Sequence, residues 1–163
     1  MSFDPSMISN NILKRAFEEG VPVSPMKLQK ILYFAASEYA KRTGGRVLLM
    51  EQFQPWKYGP VLQSVYGEFK TYGAQPIKRY AKDSRGRAYI IDENDDQVLN
   101  DTLSDVWDAT KSKSAFRLSE ITHSRGSAWW DAFQDDDRYI DDAALGEDRT
   151  YAAKLNMPEI DVW

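Results

Sequence analysis

Apolar positions in the stretch Ser24 to Arg42 recur at steps of three and four, through Leu28, Ile31, Leu32, Ala35, Ala36 and Tyr39. That spacing predicts one broad helical stripe facing a core. The ends carry start and stop chemistry: Ser24 can cap the first turn, Pro25 suits the first helical position, and Gly44-Gly45 ends the run. Tyr33 and Phe34 widen the apolar surface beyond the stripe, so a helix over 25–42 is expected to have neighbours on more than one side and to be central.

The same reading predicts a first helix from Pro5 to Glu19, with Met7 or Ile8, Ile12 and Ala16 on one face and Gly20 ending it. Period-two alternation of Val47, Leu49 and Phe53 suits a short strand within Arg46 to Gln54. Pro60 is expected to open another helix that runs to about Tyr72, with Val61 or Leu62, Val65, Phe69 and Tyr72 inward and Gly73 closing it. Ile77 to Asp92 reads as a hairpin, IKRYAK and RAYIID joined by DSRG, which with the strand near Phe53 would complete a three-stranded antiparallel sheet. Helical periodicity resumes at Val98, Leu99, Leu103, Val106 and Trp107 behind the acidic Asp95-Asp96, and again after a Ser114 cap with Phe116 or Leu118 and Ile121. A last helix is expected near Asp142 to Lys154 with Asp141 as its cap, and residues 155–163 are expected to fray unless Ile160 and Trp163 dock. The fold class is therefore α+β, mainly α: about six helices around the central one with a small three-stranded antiparallel sheet, in one domain over 1–163.

Composition narrows the function. A chain of 163 residues is long enough to bury about 70% of the surface its unfolded form exposes, so no staple is needed. Cysteine is absent and there is one histidine, His123, which excludes disulfides, thiolate metal sites and multi-histidine sites. No apolar run approaches the length of a membrane helix and no signal peptide is visible, so a cytoplasmic location is expected. The net charge of −4 argues against attraction of nucleic acid by the whole surface. Aromatic residues make up 13% of the chain, enough to supply either an aromatic core or rings at a binding surface.

Catalytic chemistry is poorly represented. His123 has Ser124 and Ser127 close in sequence, a pairing a hydrolase would need, but a locally bonded histidine at a helix end explains the same residues. Acidic pairs at 18–19, 95–96, 135–137 and 141–142 lack the glycine-containing spacing of a calcium loop and read as solvated helix ends and loops. No catalytic residue, metal site or cofactor is expected. Two stretches suit partner binding instead. Lys78, Arg79, Lys82, Arg85 and Arg87 place five cations within ten residues, interleaved with Tyr80; they would grip an acidic protein face or nucleic acid, or simply guard a strand edge. The turn Trp56, Lys57, Tyr58, Gly59, Pro60 is either a hydrophobic hot spot or a buried corner.

Three motifs in order, MKLQKILYFAASEYAKRTGG, WKYGPVLQSVYGEFKTYG and LSEITHSRGSAWWDAF, resemble the Panacea domain family, which includes antitoxins and a phage-associated protein. The motif positions map to Lys27, Leu28, Gln29, Lys30, Tyr33 and Phe34, then Trp56, Tyr58, Gly59, Pro60 and Val61, then Thr122, His123 and Trp130. The resemblance implies an antitoxin that binds a cognate toxin, encoded by an adjacent gene, in a direct stoichiometric complex. Delivery of the toxin to a cellular protease is the alternative within the family, and a nucleic-acid-binding regulator using residues 78–87 is the alternative outside it. Many relatives carry an additional N-terminal region; this chain starts almost directly with the first helix, so no separate DNA-binding module is expected.

Overall fold

The computed structural model describes residues 2–160. Seven α-helices and one small sheet follow in the order α1 (Pro5–Glu19), α2 (Pro25–Arg42), β1 (Gln54–Trp56), β2 (Gly59–Val61), α3 (Gln63–Phe69), α4 (Gln97–Thr110), α5 (Ala115–Thr122), α6 (Ala128–Gln134) and α7 (Asp142–Glu147). The architecture is the expected mainly helical α+β arrangement, and α2 is its centre: it packs against α1, α3, α4, α5, α7 and β2.

Local chemistry sets the helix ends. Ser24 accepts from the Lys27 amide at 3.3 Å ahead of Pro25, and Ser114 and Asp141 cap α5 and α7 through Arg117 and Ala144. Each such cap satisfies an amide that has no partner within its helix. Gly20 ends α1 in the left-handed conformation, with φ 67°.

The covering of α2 goes further than an apolar stripe. Every residue from Lys27 to Lys41 is buried, the polar ones included. A buried charge must be paired or hydrogen-bonded to be tolerated, and α2 finds its partners near the C-terminal end. Lys41 Nζ donates to Ser37 Oγ and Tyr151 Oη, both at 2.9 Å, and to the Asp148 carbonyl. Tyr33 Oη donates to Asp148 Oδ2 at 2.5 Å, and the same carboxylate accepts the Ala128 and Thr150 amides. Tyr151 donates to Glu38, whose carboxylate also meets Arg42 at 3.4 Å. Burial followed by these carboxylates raises the Tyr33 and Tyr151 hydroxyls well above the usual tyrosine range, so both stay protonated donors. This network ties α2 to α6 and α7.

The apolar core is continuous from Ile8 to Met157. Leu155 and Met157 are buried in it, so the part of the expected fraying tail up to Met157 is anchored; Trp163 lies outside the described residues. Leu28 and Leu32 are fully buried on α2. Truncating either to alanine should destabilise the protein by about 2–5 kcal/mol, through lost burial and the cavity left behind. Urea unfolding followed by circular dichroism checks this, and an unchanged midpoint would move the centre of the core elsewhere.

The sheet departs from expectation. It has two strands, β1 and β2, pairing Gln54 with Val61, Pro55 with Pro60 and Trp56 with Gly59 across the two-residue turn Lys57-Tyr58. Pro60 therefore sits in a strand instead of opening α3, which begins at Gln63. The expected strand near Leu49 is reduced to one parallel bridge with Phe3. The last helix stops at Glu147, because Asp148 turns inward to Tyr33, and a 3-10 turn at Ala153–Leu155 follows.

Residues 77–92 form no ladder, and α1 supplies the reason. The buried Asn10 side chain donates to the carbonyls of Ala81 at 3.0 Å and Tyr89 at 2.9 Å, and accepts from the Ala81 amide at 2.7 Å. Asn11 does the same for both backbone groups of Ile91. Only Asp83 and Arg87 pair directly, at 2.8 Å, closing the loop. Asn10 is thus a wedge holding the two arms apart while satisfying the backbone groups that a ladder would have paired.

Candidate partner-binding site

Two of the three motifs meet in the interior. Gln29 on α2 donates to the Leu62 carbonyl at 3.0 Å and accepts from the Leu62 amide at 2.8 Å, fixing the chain where it leaves β2. One residue on, Lys30 lies beneath β2 and donates to the Pro60 carbonyl at 3.3 Å. Burial lowers its pKa to about 7, because no carboxylate compensates the lost hydration. Gly59 closes over this amine with φ 122°, and a Cβ there would lie 2.6 Å from Lys30 Cε and 3.1 Å from Thr122 Oγ1. Val61 is buried beside it, and Lys27 donates to the Lys111 carbonyl at 2.6 Å.

The third motif braces the hairpin from the other side. Ser119 Oγ donates to the Tyr58 carbonyl at 2.6 Å, and Trp129 Nε1 donates to the Trp56 carbonyl at 2.8 Å. Thr122 turns its hydroxyl onto the Ser119 carbonyl, and Trp130 is half-buried against the core. His123 stacks on Trp129 with ring centroids 4.0 Å apart, and Trp129 stacks in turn on Phe133 at 4.8 Å. Burial first, then the neighbouring Lys30, lowers the His123 pKa. Its Nε2 is buried without a partner, and the serines nearby are occupied: Ser124 donates to the Ile121 carbonyl and Ser127 to the Thr122 carbonyl. Among the described residues neither hydroxyl is hydrogen-bonded to His123. Among the described residues no group of three or more His, Asp or Glu is placed to hold a metal.

Over this interior junction the hairpin presents aromatic surface. Tyr58, at the turn, is 63% exposed, and Phe116 on α5 is 72% exposed. Phe116 stands one helical turn before Ser119, whose hydroxyl reaches the Tyr58 carbonyl. Trp56 is half-buried with its ring edge-on to the exposed Tyr66 at 4.9 Å, and Phe133 extends the stack beyond Trp129. Within the turn Gly59, Pro60 and Val61 form a buried corner, Trp56 is half-buried and Tyr58 is exposed. Tyr66, Phe116 and Phe133 complete the surface without having been singled out as binding residues. For Phe116 the signal was its phase, since it falls off the stripe of Leu118, Ile121 and Thr122.

The basic segment lies elsewhere. Glu68 on α3 pairs with Arg79 at 3.0 Å and accepts the Lys82 amide, whereas Tyr66 on the same helix meets Trp56. Two residues on a helix are about 200° apart, so α3 separates the basic segment from the aromatic surface. Arg79 is committed to the fold, donating also to the Glu68 carbonyl and lying over the Phe69 ring. Tyr80 packs edge-on to Phe17, and Arg87 meets Asp83 at 3.6 Å. Lys78, Lys82 and Arg85 are exposed.

Comparison with known proteins agrees with these motifs. The Antitoxin SocA-like, Panacea domain family matches residues 28–130. Antitoxin SocA of Caulobacter vibrioides (strain NA1000 / CB15N) is 32% identical over 131 residues, covering 78% of this chain and 69% of that protein. No solved structure matches.

Proposed function

This chain belongs to the antitoxin SocA-like Panacea domain family, and from that membership we propose that it is an antitoxin that neutralises a cognate toxin, encoded by an adjacent gene, by direct stoichiometric binding. The observation that carries the reading is the division of labour around β1 and β2. Gln29, Lys30, Gly59, Thr122 and Trp129 spend their polar groups and packing inward, and they brace a turn that presents Tyr58 to solvent beside the half-buried Trp56, while Tyr66, Phe116 and Phe133 stand exposed on α3, α5 and α6. Aromatic rings on a braced support bury large area at little entropic cost, as hot spots of protein interfaces do. Catalysis has no comparable support: His123 is unpaired with either nearby serine, and turnover of the toxin is not part of the proposal.

Titrating the purified product of the neighbouring reading frame with this protein, while reading toxin activity and complex mass together, tests the proposal. Inhibition should saturate at about one antitoxin per toxin. Tyr58→Ala combined with Phe116→Ala should weaken the complex by about tenfold or more and leave the melting temperature in place, since both side chains are exposed. Rescue at far below one equivalent without a protease would overturn stoichiometric capture. Rescue that needs an added protease would replace it with the adaptor mechanism, and salt-sensitive retention on DNA with no toxin contact would replace it with the nucleic-acid reading.

A further inference from the structure

The arms wedged apart by Asn10 and Asn11 leave the backbone groups of Ala88 and Ile90 without a partner among the described residues. In extended chain the N–H and C=O of one residue point to one side, and those of the next residue to the other. Tyr89 and Ile91 turn theirs toward α1, the former's carbonyl to Asn10 and both groups of the latter to Asn11. Neither Ala88 nor Ile90 makes a backbone hydrogen bond among the described residues, and an extended course between Tyr89 and Ile91 turns their groups away from α1. The side chains of Tyr89 and Ile90 are 47% and 44% exposed, so the edge comes with apolar surface beside it.

Two observations identify what fits. The segment Ala88-Tyr89-Ile90-Ile91 is rich in residues favoured in strands, yet its outer backbone groups are left to water. Beside it, Arg79 and Arg87 are paired with Glu68 and Asp83, while Lys78, Lys82 and Arg85 are exposed and make no ion pair among the described residues, in a protein of net charge −4. A second copy pairing edge to edge would bring these cations together, which is the arrangement that protects natural edges from self-association. The same charges favour an acidic strand. We infer that the outer edge of Ala88–Ile90 is a strand-addition site for an extended acidic segment of a partner protein, with backbone hydrogen bonds supplying the pairing and Lys78, Lys82 and Arg85 the charge selection.

The inference rests on the antitoxin reading for the partner's identity, the toxin, but not for the chemistry of the edge, and the experiment separates the two. Ile90→Pro deletes the outward N–H, a group that bonds nothing within the chain, whereas Ile90→Val keeps it. Complex formation with the neighbouring gene product should weaken by about tenfold or more for Ile90→Pro and stay near wild type for Ile90→Val, with equal melting temperatures. Should Ile90→Pro fail to fold, amide exchange on the wild-type complex decides: slowed exchange at Ala88 and Ile90 supports the site, and unchanged exchange there removes it. Equal binding by Ile90→Pro overturns the edge while leaving the antitoxin reading standing. If the wild-type protein binds no gene product, the antitoxin reading falls, and a synthetic peptide of alternating glutamate and valine becomes the probe. Amide shifts at Ala88 and Ile90 with that peptide, absent with the lysine–valine counterpart, keep the site; no shifts, or equal shifts with both, overturn it.

Discussion

Gly59→Val should be among the most damaging single substitutions in this protein, costing about 3–5 kcal/mol or preventing folding altogether. Two separate costs combine. The φ of 122° is a backbone conformation that a β-branched residue resists. Independently, any Cβ would approach Lys30 Cε to 2.6 Å and Thr122 Oγ1 to 3.1 Å. Lys30 is itself buried beneath β2, so its retreat would cost packing and its hydrogen bond to Pro60. The two costs are separable: Gly59→Ala in a Lys30→Met background keeps the backbone strain but replaces the amine with a more compliant thioether end. Denaturant midpoints for Gly59→Val, Gly59→Ala and this double variant make the comparison, and a Gly59→Val protein as stable as wild type would mean that the turn tolerates any residue.

The second large effect concerns pH. Lys30 in the folded protein releases its proton at about 7, whereas the unfolded chain keeps it to the ordinary value of 10.5. Between those values the unfolded state binds more protons, so this group makes stability rise with pH across that window. Below the window both states are protonated, the cost of burying the ammonium is present in full, and the slope vanishes. Between about pH 7 and pH 9 the gain should be about 2 kcal/mol. Lys30→Met should abolish that gain and raise stability at neutral pH, since it removes the amine and retains the buried stem. Lys27 and Lys41 are also depressed by burial, so the signal is the difference between wild type and variant. Tyr33 and Tyr151, raised well above their ordinary value, make stability fall at more alkaline pH and bound the usable range. Parallel profiles for the two proteins would show that Lys30 titrates normally.

The central helices and several helix ends were legible because their causes are local, whereas the start of α3 and the end of α7 were not. Pro25 with Ser24, the Ser114 and Asp141 caps, and Gly20 act within a turn of their own position, so reading along the chain suffices. The family motifs were legible from the sequence as well. The role of Lys30 was not. Its surroundings, the Pro60 carbonyl and the Gly59 and Thr122 atoms above it, lie 29 or more residues away, and from the sequence alone it resembles any solvated lysine on a helix.

Sequence by itself determined a central apolar helix flanked by capped amphipathic helices, because periodicity and capping are properties of neighbouring residues. The strand-favouring residues of 77–92 read as a hairpin. Tertiary structure alone decided that this segment forms no hairpin ladder. Asn10 and Asn11 reach it from α1 and satisfy its backbone groups directly, and such competition for hydrogen bonds depends on which distant side chains the fold brings near. Tertiary structure likewise decided that the polar side of α2 is interior. Asp148, Tyr151 and the Lys111 carbonyl supply hydrogen bonds that water would otherwise have made, and a buried polar group is tolerable only where such partners already stand.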